Sequence, residues 1–363
     1  MSDVVSRADR FQRRHRVIGF PLGVLYKFFD DQGNYLAAIL TYYAFIAIFP
    51  LLLLASTILG FLLQGNPGLQ ESVLDSALAN FPIIGDELGR PERLQGSALG
   101  VTVGILAATY GALGLGQAIQ NAMNIAWSVP RNSRPNPFLL RLKSLALITT
   151  SGVAVLGVTT VSVLGASTDV LGADLAGIVR LGISLVTTVA VGLGLTVLFR
   201  LAASRRHGFG RSAPGAFVTA VLWQGLQYVG TIYAQRVVAE TSGVNATFGL
   251  VLGLVGIIYL ASLMGVLGIE VNVVLARRLW PRALLTPFTD AVDLTDADRR
   301  AYAAYAQMQR HKGFETVTIR FDQRNGDTHE FVPDPDSPKD QVETGSSPVV
   351  TPSMQEEARA RRE

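Results

Sequence analysis

The chain has no cysteine among its 363 residues, and only 16% of them are Asp, Glu, Lys or Arg. The first absence excludes disulfides, thiolate metal sites and a cysteine nucleophile. The second sets the chain apart from soluble domains, where about 25% of residues are charged. Histidine is also scarce: His15, His207, His311 and His329 are scattered over basic segments and the tail, without metal-ligand spacing. No GxxxxGK[ST] phosphate loop and no GxSxG nucleophile elbow occurs. The glycines from Gly111 to Gly116 fall inside an apolar run rather than after a strand, so they do not read as a dinucleotide loop. These absences predict a protein that is not an enzyme and has no cofactor and no metal site. They also predict no nucleic-acid partner, because a net charge of +3 is accounted for by arginines flanking apolar segments.

What the chain does have is long apolar runs, 49% of the sequence being hydrophobic. A helix needs about 20 mostly apolar residues to cross a bilayer core. Six stretches qualify, at about 35–63, 98–118, 144–165, 181–201, 213–233 and 246–276. They predict an all-α polytopic membrane protein with six transmembrane helices. The lysines and arginines between the runs and at their ends give its orientation, since cytoplasmic loops are enriched in them. Six precede the first run (Arg7, Arg10, Arg13, Arg14, Arg16, Lys27) and two follow it (Arg90, Arg93). The next segments hold four (Arg131, Arg134, Arg141, Lys143), one (Arg180), four (Arg200, Arg205, Arg206, Arg211) and one (Arg236). Arg277, Arg278 and Arg282 close the series. This alternation places the N-terminus and the C-terminus in the cytoplasm.

Four regions follow: a basic cytoplasmic or interfacial segment (1–33), the transmembrane domain (34–282), a small cytoplasmic helix plus hairpin (286–332) and a disordered tail (333–363). The stretch Phe11 to Phe29 mixes basic and apolar residues, as an interfacial helix on anionic lipid would, and Pro21 is expected to bend or split it. A simple topogenic anchor is the plainer reading of the same residues. Val73, Leu74, Ala77, Leu78 and Phe81 recur at helical spacing and predict a short amphipathic helix in the first outer connection. Thr295 and Asp298 are spaced for a capping box that opens a helix ending near Gly313. Residues 317–331 alternate around Asn325-Gly326, a hairpin signal. The segment from Thr286 to Glu363 holds 15 acids and 10 bases, and a cytoplasmic protein partner could bind it.

An ionisable group in hydrocarbon costs about 2.5–3.5 kcal/mol on insertion scales, so each needs a reason. Glu270 is the one acid within an apolar run. It can pair with a base such as Arg200 or Lys143, or serve as a proton- or substrate-linked carboxylate. Gln117, Asn121 and Asn124, with Gln120 adjacent, stand at helical spacing on one face of the second run. Gln224, Gln227, Tyr228 and Thr231 make a comparable face on the fifth. Tyr42 and Tyr43 precede Pro50, which frees a carbonyl near Ile46 and predicts a kink or local polar opening. Gly100, Gly104, Ala108, Ala112, Gly249 and Gly253 are spaced for close helix packing.

Four blocks, AAILTYYAFIAIFPLLLL, AIQNAMNIAW, PGAFVTAVLWQ and GIEVNVVLARR, resemble the YihY/BrkB family of bacterial inner-membrane proteins in order and spacing over roughly residues 10–282. Tyr42, Tyr43, Pro50, Asn121, Gly268, Glu270 and Asn272 match positions that recur in that family. The resemblance implies a multi-pass protein of the bacterial inner membrane, with membrane lipids as partners and a lipid or amphiphilic solute as substrate. An old ribonuclease label of the family does not suit a chain with no histidine–aspartate cluster and no basic groove for RNA. The combined expectation is a transporter or flippase-like carrier. Its pathway candidates are Glu270, Asn121, Gln117, Asn124, Gln224, Tyr228, Tyr42 and Tyr43, and Pro50, Gly268 and Asn272 are structural. The alternative is a non-transporting scaffold of the envelope that acts through its cytoplasmic tail.

Overall fold

The computed structural model describes residues 3–62, 98–166, 173–204, 208–233, 244–284, 286, 292–322 and 328–331. Two short helices come first, α1 (Asp3–Arg14) and α2 (Arg16–Asp30). Six long ones follow: α3 (Gly33–Leu62), α4 (Ala98–Ala126), α5 (Pro137–Ala166), α6 (Ala173–Ala202), α7 (Phe209–Tyr233) and α8 (Val244–Arg277). Each of the six contains one of the six apolar runs and has 25 to 34 residues. At 1.5 Å per residue even the shortest exceeds the roughly 30 Å of a hydrocarbon core. Among the residues whose side chains are described, Ser184–Ala202 and Val251–Arg277 are long and apolar enough to cross a membrane.

The chain divides into two compact units. The larger comprises Val24–Trp127 and Pro135–Ala276 and holds the long helices. In it α4 packs on both α3 and α5, and α6 packs on both α5 and α7. Helix α3 remains helical through Pro50. Gln32, with φ 55°, turns the chain out of α2, and Ser128, with φ 45°, follows the end of α4. Both are non-glycine residues in the left-handed conformation common just after a helix end.

The break in the N-terminal stretch falls at His15, not at Pro21, which lies inside α2. The carbonyl that Pro21 deprives of its helical donor belongs to Val17, an exposed residue of the first turn. At His15 the backbone instead turns, and the His15 ring meets the Phe11 carbonyl at 2.8 Å.

Close approach occurs where α7 meets α8. A methyl group on Gly215 would stand 1.8 Å from the Gly268 carbonyl oxygen, and one on Gly268 would stand 1.9 Å from Thr219 Oγ1. Backbone cannot retreat as a side chain can, so Gly215→Ala should destabilise the helix pair by about 1–3 kcal/mol or more. Thermal unfolding in detergent measures this, with Gly249→Ala as the neutral comparison. Among the described residues a methyl group on Gly249 would meet nothing within 4 Å. The side chains of residues 98–105 and 108, and with them Gly100, Gly104 and Ala108, lie outside the described set.

The smaller unit comprises Met1–Gly23, Ser128–Arg134 and Arg277–Glu363. Its C-terminal portion contains α9 (Asp296–Met308) and a two-stranded antiparallel sheet of β1 (Ile319–Asp322) and β2 (Thr328–Phe331). In the register Ile319 faces Phe331 and Asp322 faces Thr328. Thr295 caps α9 and Asp298 completes the capping box. The helix ends at Met308 rather than near Gly313, because the chain turns over 309–315. There Glu315 accepts hydrogen bonds from the backbone N–H groups of His311 (2.7 Å) and Lys312 (3.1 Å), which hold its carboxyl below the ordinary range.

Sequence distance is no guide to contact in this unit. Arg282 and Asp298, both fully buried, form an ion pair, and Asp298 also accepts from the backbone of Ala283 and Thr295 at 2.9 Å each. Gln12 of α1 donates to the Arg282 carbonyl (2.6 Å) and to Asp9 (3.1 Å). Asp9 in turn accepts from Leu284 N (2.9 Å) and pairs with Arg13 (2.7 Å). Residues 128–134 join the same unit through Asn132 N, which donates to the Arg310 carbonyl (3.2 Å), and Arg131, which donates to Gln309 (3.3 Å). The predicted amphipathic helix around residues 73–81, the hairpin turn at Asn325-Gly326 and the tail from 333 onward lie outside the described residues.

Candidate functional site

Seven consecutive residues of α8, Gly268 to Val274, are buried. A helix enclosed on every face is central to its bundle rather than half-exposed. Glu270 sits in the middle of this stretch with no solvent exposure. Its cation is Lys27, whose ammonium nitrogen lies 3.7 Å from Glu270 Oε2. Lys27 also pairs with Asp31, one helical turn further along the chain. All three side chains are at most 1% exposed. Neither carboxylate oxygen of Glu270 has a hydrogen-bond partner among the described residues, and neither does Asp31 Oδ1.

The expected partners of Glu270 are otherwise engaged. Lys143 donates to the Ala203 carbonyl (3.2 Å), and the Arg200 guanidinium lies 4.7 Å from the Phe209 ring centroid. Lys27 takes their place because α2 is amphipathic in an unusual sense. Val24, Lys27, Phe28 and Asp31 share its buried side, while Val17, Ile18, Leu25 and Phe29 are exposed. An i, i+4 Lys–Asp pair next to apolar neighbours is the signal in the sequence that marks this face, and neither residue stood among the expected site residues.

Two residues beyond Glu270, Asn272 fastens α8 to the start of α7. Its Oδ1 accepts from Gly215 N (2.7 Å) and its Nδ2 donates to the Ser212 carbonyl (3.0 Å). Both groups flank Pro214, which lies inside α7 and has no N–H to give the helical ladder, so side-chain bonds from Asn272 reinforce the backbone there. Thr219 adds a bond across to the Met264 carbonyl (3.2 Å). Glu270 is therefore carried on a stretch of α8 that is held both by side-chain hydrogen bonds and by the Gly215–Gly268 contact.

The polar residues of α4 divide into two sets. Gln117 and Asn121 are exposed, whereas Gln120 and Asn124 are buried. Gln120 donates to the carbonyls of Gly116 and Leu140 (3.1 Å each) and to Ser144 Oγ (3.0 Å). Asn124 accepts from Ser204 Oγ. The inward set ties α4 to α5 and to the end of α6, so Gln117, Asn121 and Asn124 do not act as one stripe. Neighbouring helices, not the spacing alone, decide which of these side chains are covered. On α7, Gln224 is exposed and donates to Ser184 of α6 (3.3 Å), and Tyr228 is 72% exposed. Tyr42 is exposed and stacks edge-on against Tyr43, which also meets Tyr110 at 6.1 Å between centroids. Of the pathway candidates, Glu270 is enclosed, whereas Asn121 and Gln224 are exposed.

Chemically, the triad is a buried charge cluster with one ammonium and two carboxylates. Such a cluster can hold, release or exchange a small cation. Among the described residues no group of three His, Asp or Glu side chains is arranged to hold a metal ion.

Compared with models of known families, residues 24–288 match Virulence factor BrkB. The match covers more than half of the chain, and the protein belongs to that family of membrane proteins. No curated protein matches the chain, and no solved structure does.

Proposed function

We propose that this BrkB-family chain is a six-span protein of the bacterial inner membrane that moves a lipid or other amphiphilic solute between leaflets or across the bilayer. The observation that carries the reading is the Lys27–Asp31–Glu270 cluster. Ionisable side chains enclosed among spanning helices are expensive, and in membrane proteins they mark solute and ion pathways. For a purely structural tie, apolar residues would serve as well or better, since a buried ion pair is a weak source of stability. The exposed Tyr42, Gln117, Asn121, Gln224 and Tyr228 supply hydrogen-bonding groups on the long helices that an amphiphile's headgroup could use.

Contacts within the smaller unit support the topology. Asp9 and Gln12 before the first long helix, 131–132 between the second and third, and Arg282, Leu284 and Arg310 after the sixth are joined by hydrogen bonds. Segments that bond to one another lie on one side of a membrane, so an even number of crossings separates each from the next. These are also the lysine- and arginine-rich segments, which supports a cytoplasmic location for that side.

Reconstituted into liposomes, the wild-type protein should move fluorescent lipid analogues between leaflets, and Glu270→Gln should abolish or strongly slow that movement while remaining folded. A well-folded wild type that moves none of the lipids tested, at either of two pH values, would sink the reading and favour a scaffold acting through its cytoplasmic unit.

A further inference from the structure

Counting charge over the triad gives an odd result. Lys27 contributes one positive charge and Asp31 and Glu270 one negative charge each, so the fully ionised cluster carries a net charge of −1. The ammonium is not shared equally: it is in direct contact with Asp31 and 3.7 Å from Glu270. Lys27 and Asp31 are the charged groups that face the Glu270 carboxylate. Among the described residues, three enclosed carboxylate oxygens, both of Glu270 and Oδ1 of Asp31, have no donor in hydrogen-bonding geometry, and Lys27 stands off Glu270 Oε2 at 3.7 Å. An uncompensated charge in such surroundings is unfavourable, and adding one monovalent cation removes it.

We propose that Lys27, Asp31 and Glu270 form a binding site for one exchangeable proton, seated on the Glu270 carboxylate. This deepens the transport reading above and rests on it for its physiological use, since it names the coupling ion. On binding, a proton adds to one Glu270 oxygen to give a neutral acid, and Lys27 keeps its ammonium paired with Asp31. On release, the carboxylate and Asp31 compete for the one ammonium. Lys27 and Asp31 belong to the α2–α3 junction and Glu270 to α8, so the competition changes the attraction between those two elements. A proton is favoured over a larger cation because the three oxygens share their space with the lysine ammonium, and the first shell of a metal ion needs more oxygens than remain.

The test is infrared difference spectroscopy of the full-length protein in liposomes, between acidic and alkaline buffer. The wild type should show the carbonyl stretch of one protonated carboxylic acid that disappears on alkalinisation. Glu270→Gln should lose that band. Asp31→Asn should lose it too, because one ammonium then faces one carboxylate and the cluster is already neutral, and this second variant guards against a folding failure in the first. Absence of the band in wild type, its survival in both variants, or a spectral change driven by Na+ at constant pH would overturn the proposal. Lipid movement is followed in the same vesicles. A titrating band without lipid movement keeps the proton site and removes the transport reading, and lipid movement without a titrating band does the reverse.

Discussion

Lys27→Met is expected to be among the most damaging single substitutions in the protein. Methionine matches the length of the lysine stem but leaves Asp31 and Glu270 enclosed with no cation. Removing one partner of a buried ion pair costs about 3–5 kcal/mol, because the remaining charge stays desolvated. Here two carboxylates lose the same partner, so the upper end of that range applies. The expected result is a sharp fall in folded yield and in unfolding temperature in detergent. The triple variant Lys27→Met, Asp31→Asn, Glu270→Gln should recover most of the loss, since no charge remains to be compensated. A single variant as stable as wild type, or a triple variant no better than the single one, would show that the cluster is not energetically coupled.

The second large effect is expected at Asp298. Its carboxylate serves at once as the partner of the buried Arg282, the acceptor for the backbone N–H of Ala283 and the reciprocal half of the α9 capping box. Asp298→Ala removes all three and takes the carboxylate from the buried Arg282 guanidinium, for a cost of about 3–5 kcal/mol from the ion pair and about 1 kcal/mol from the cap. The smaller unit should then open locally while the long helices persist. Amide exchange separates the two: the backbone N–H groups of Ala301 to Ala304 should lose protection, and those of Val271 to Val274 should keep it. Equal protection in mutant and wild type would mean that α9 is held by its apolar contacts alone.

The positions of the long helices were legible in the sequence because runs of 20 or more apolar residues admit few other structures. The capping box at Thr295 and Asp298 was legible for a different reason, since it depends only on residues three apart. The partners of Glu270 were not legible. Lys27 precedes it by more than 240 positions, and nothing local says which of several basic residues a buried acid will meet. Spacing also proved a poor guide to exposure on α4, where Gln120 is enclosed and its neighbour Asn121 is not. Both orientations fit a helix, and the choice was made by Leu140 and Ser144 of α5. Pro21 does not split the N-terminal stretch, because α2 continues through it and the break falls at His15.

The hydrogen bond from Gln12 to the Arg282 carbonyl spans 270 residues of sequence. A ribosome adds about 5–20 residues per second, so α1 leaves the exit tunnel roughly 15 to 50 seconds before its partner exists. For that interval Asp9 and Gln12 are open to solvent and to the anionic membrane surface, and only the arrival of the last segment closes the clasp. The contacts that hold α1 in the smaller unit are therefore completed only once Arg282 and Leu284 have been made.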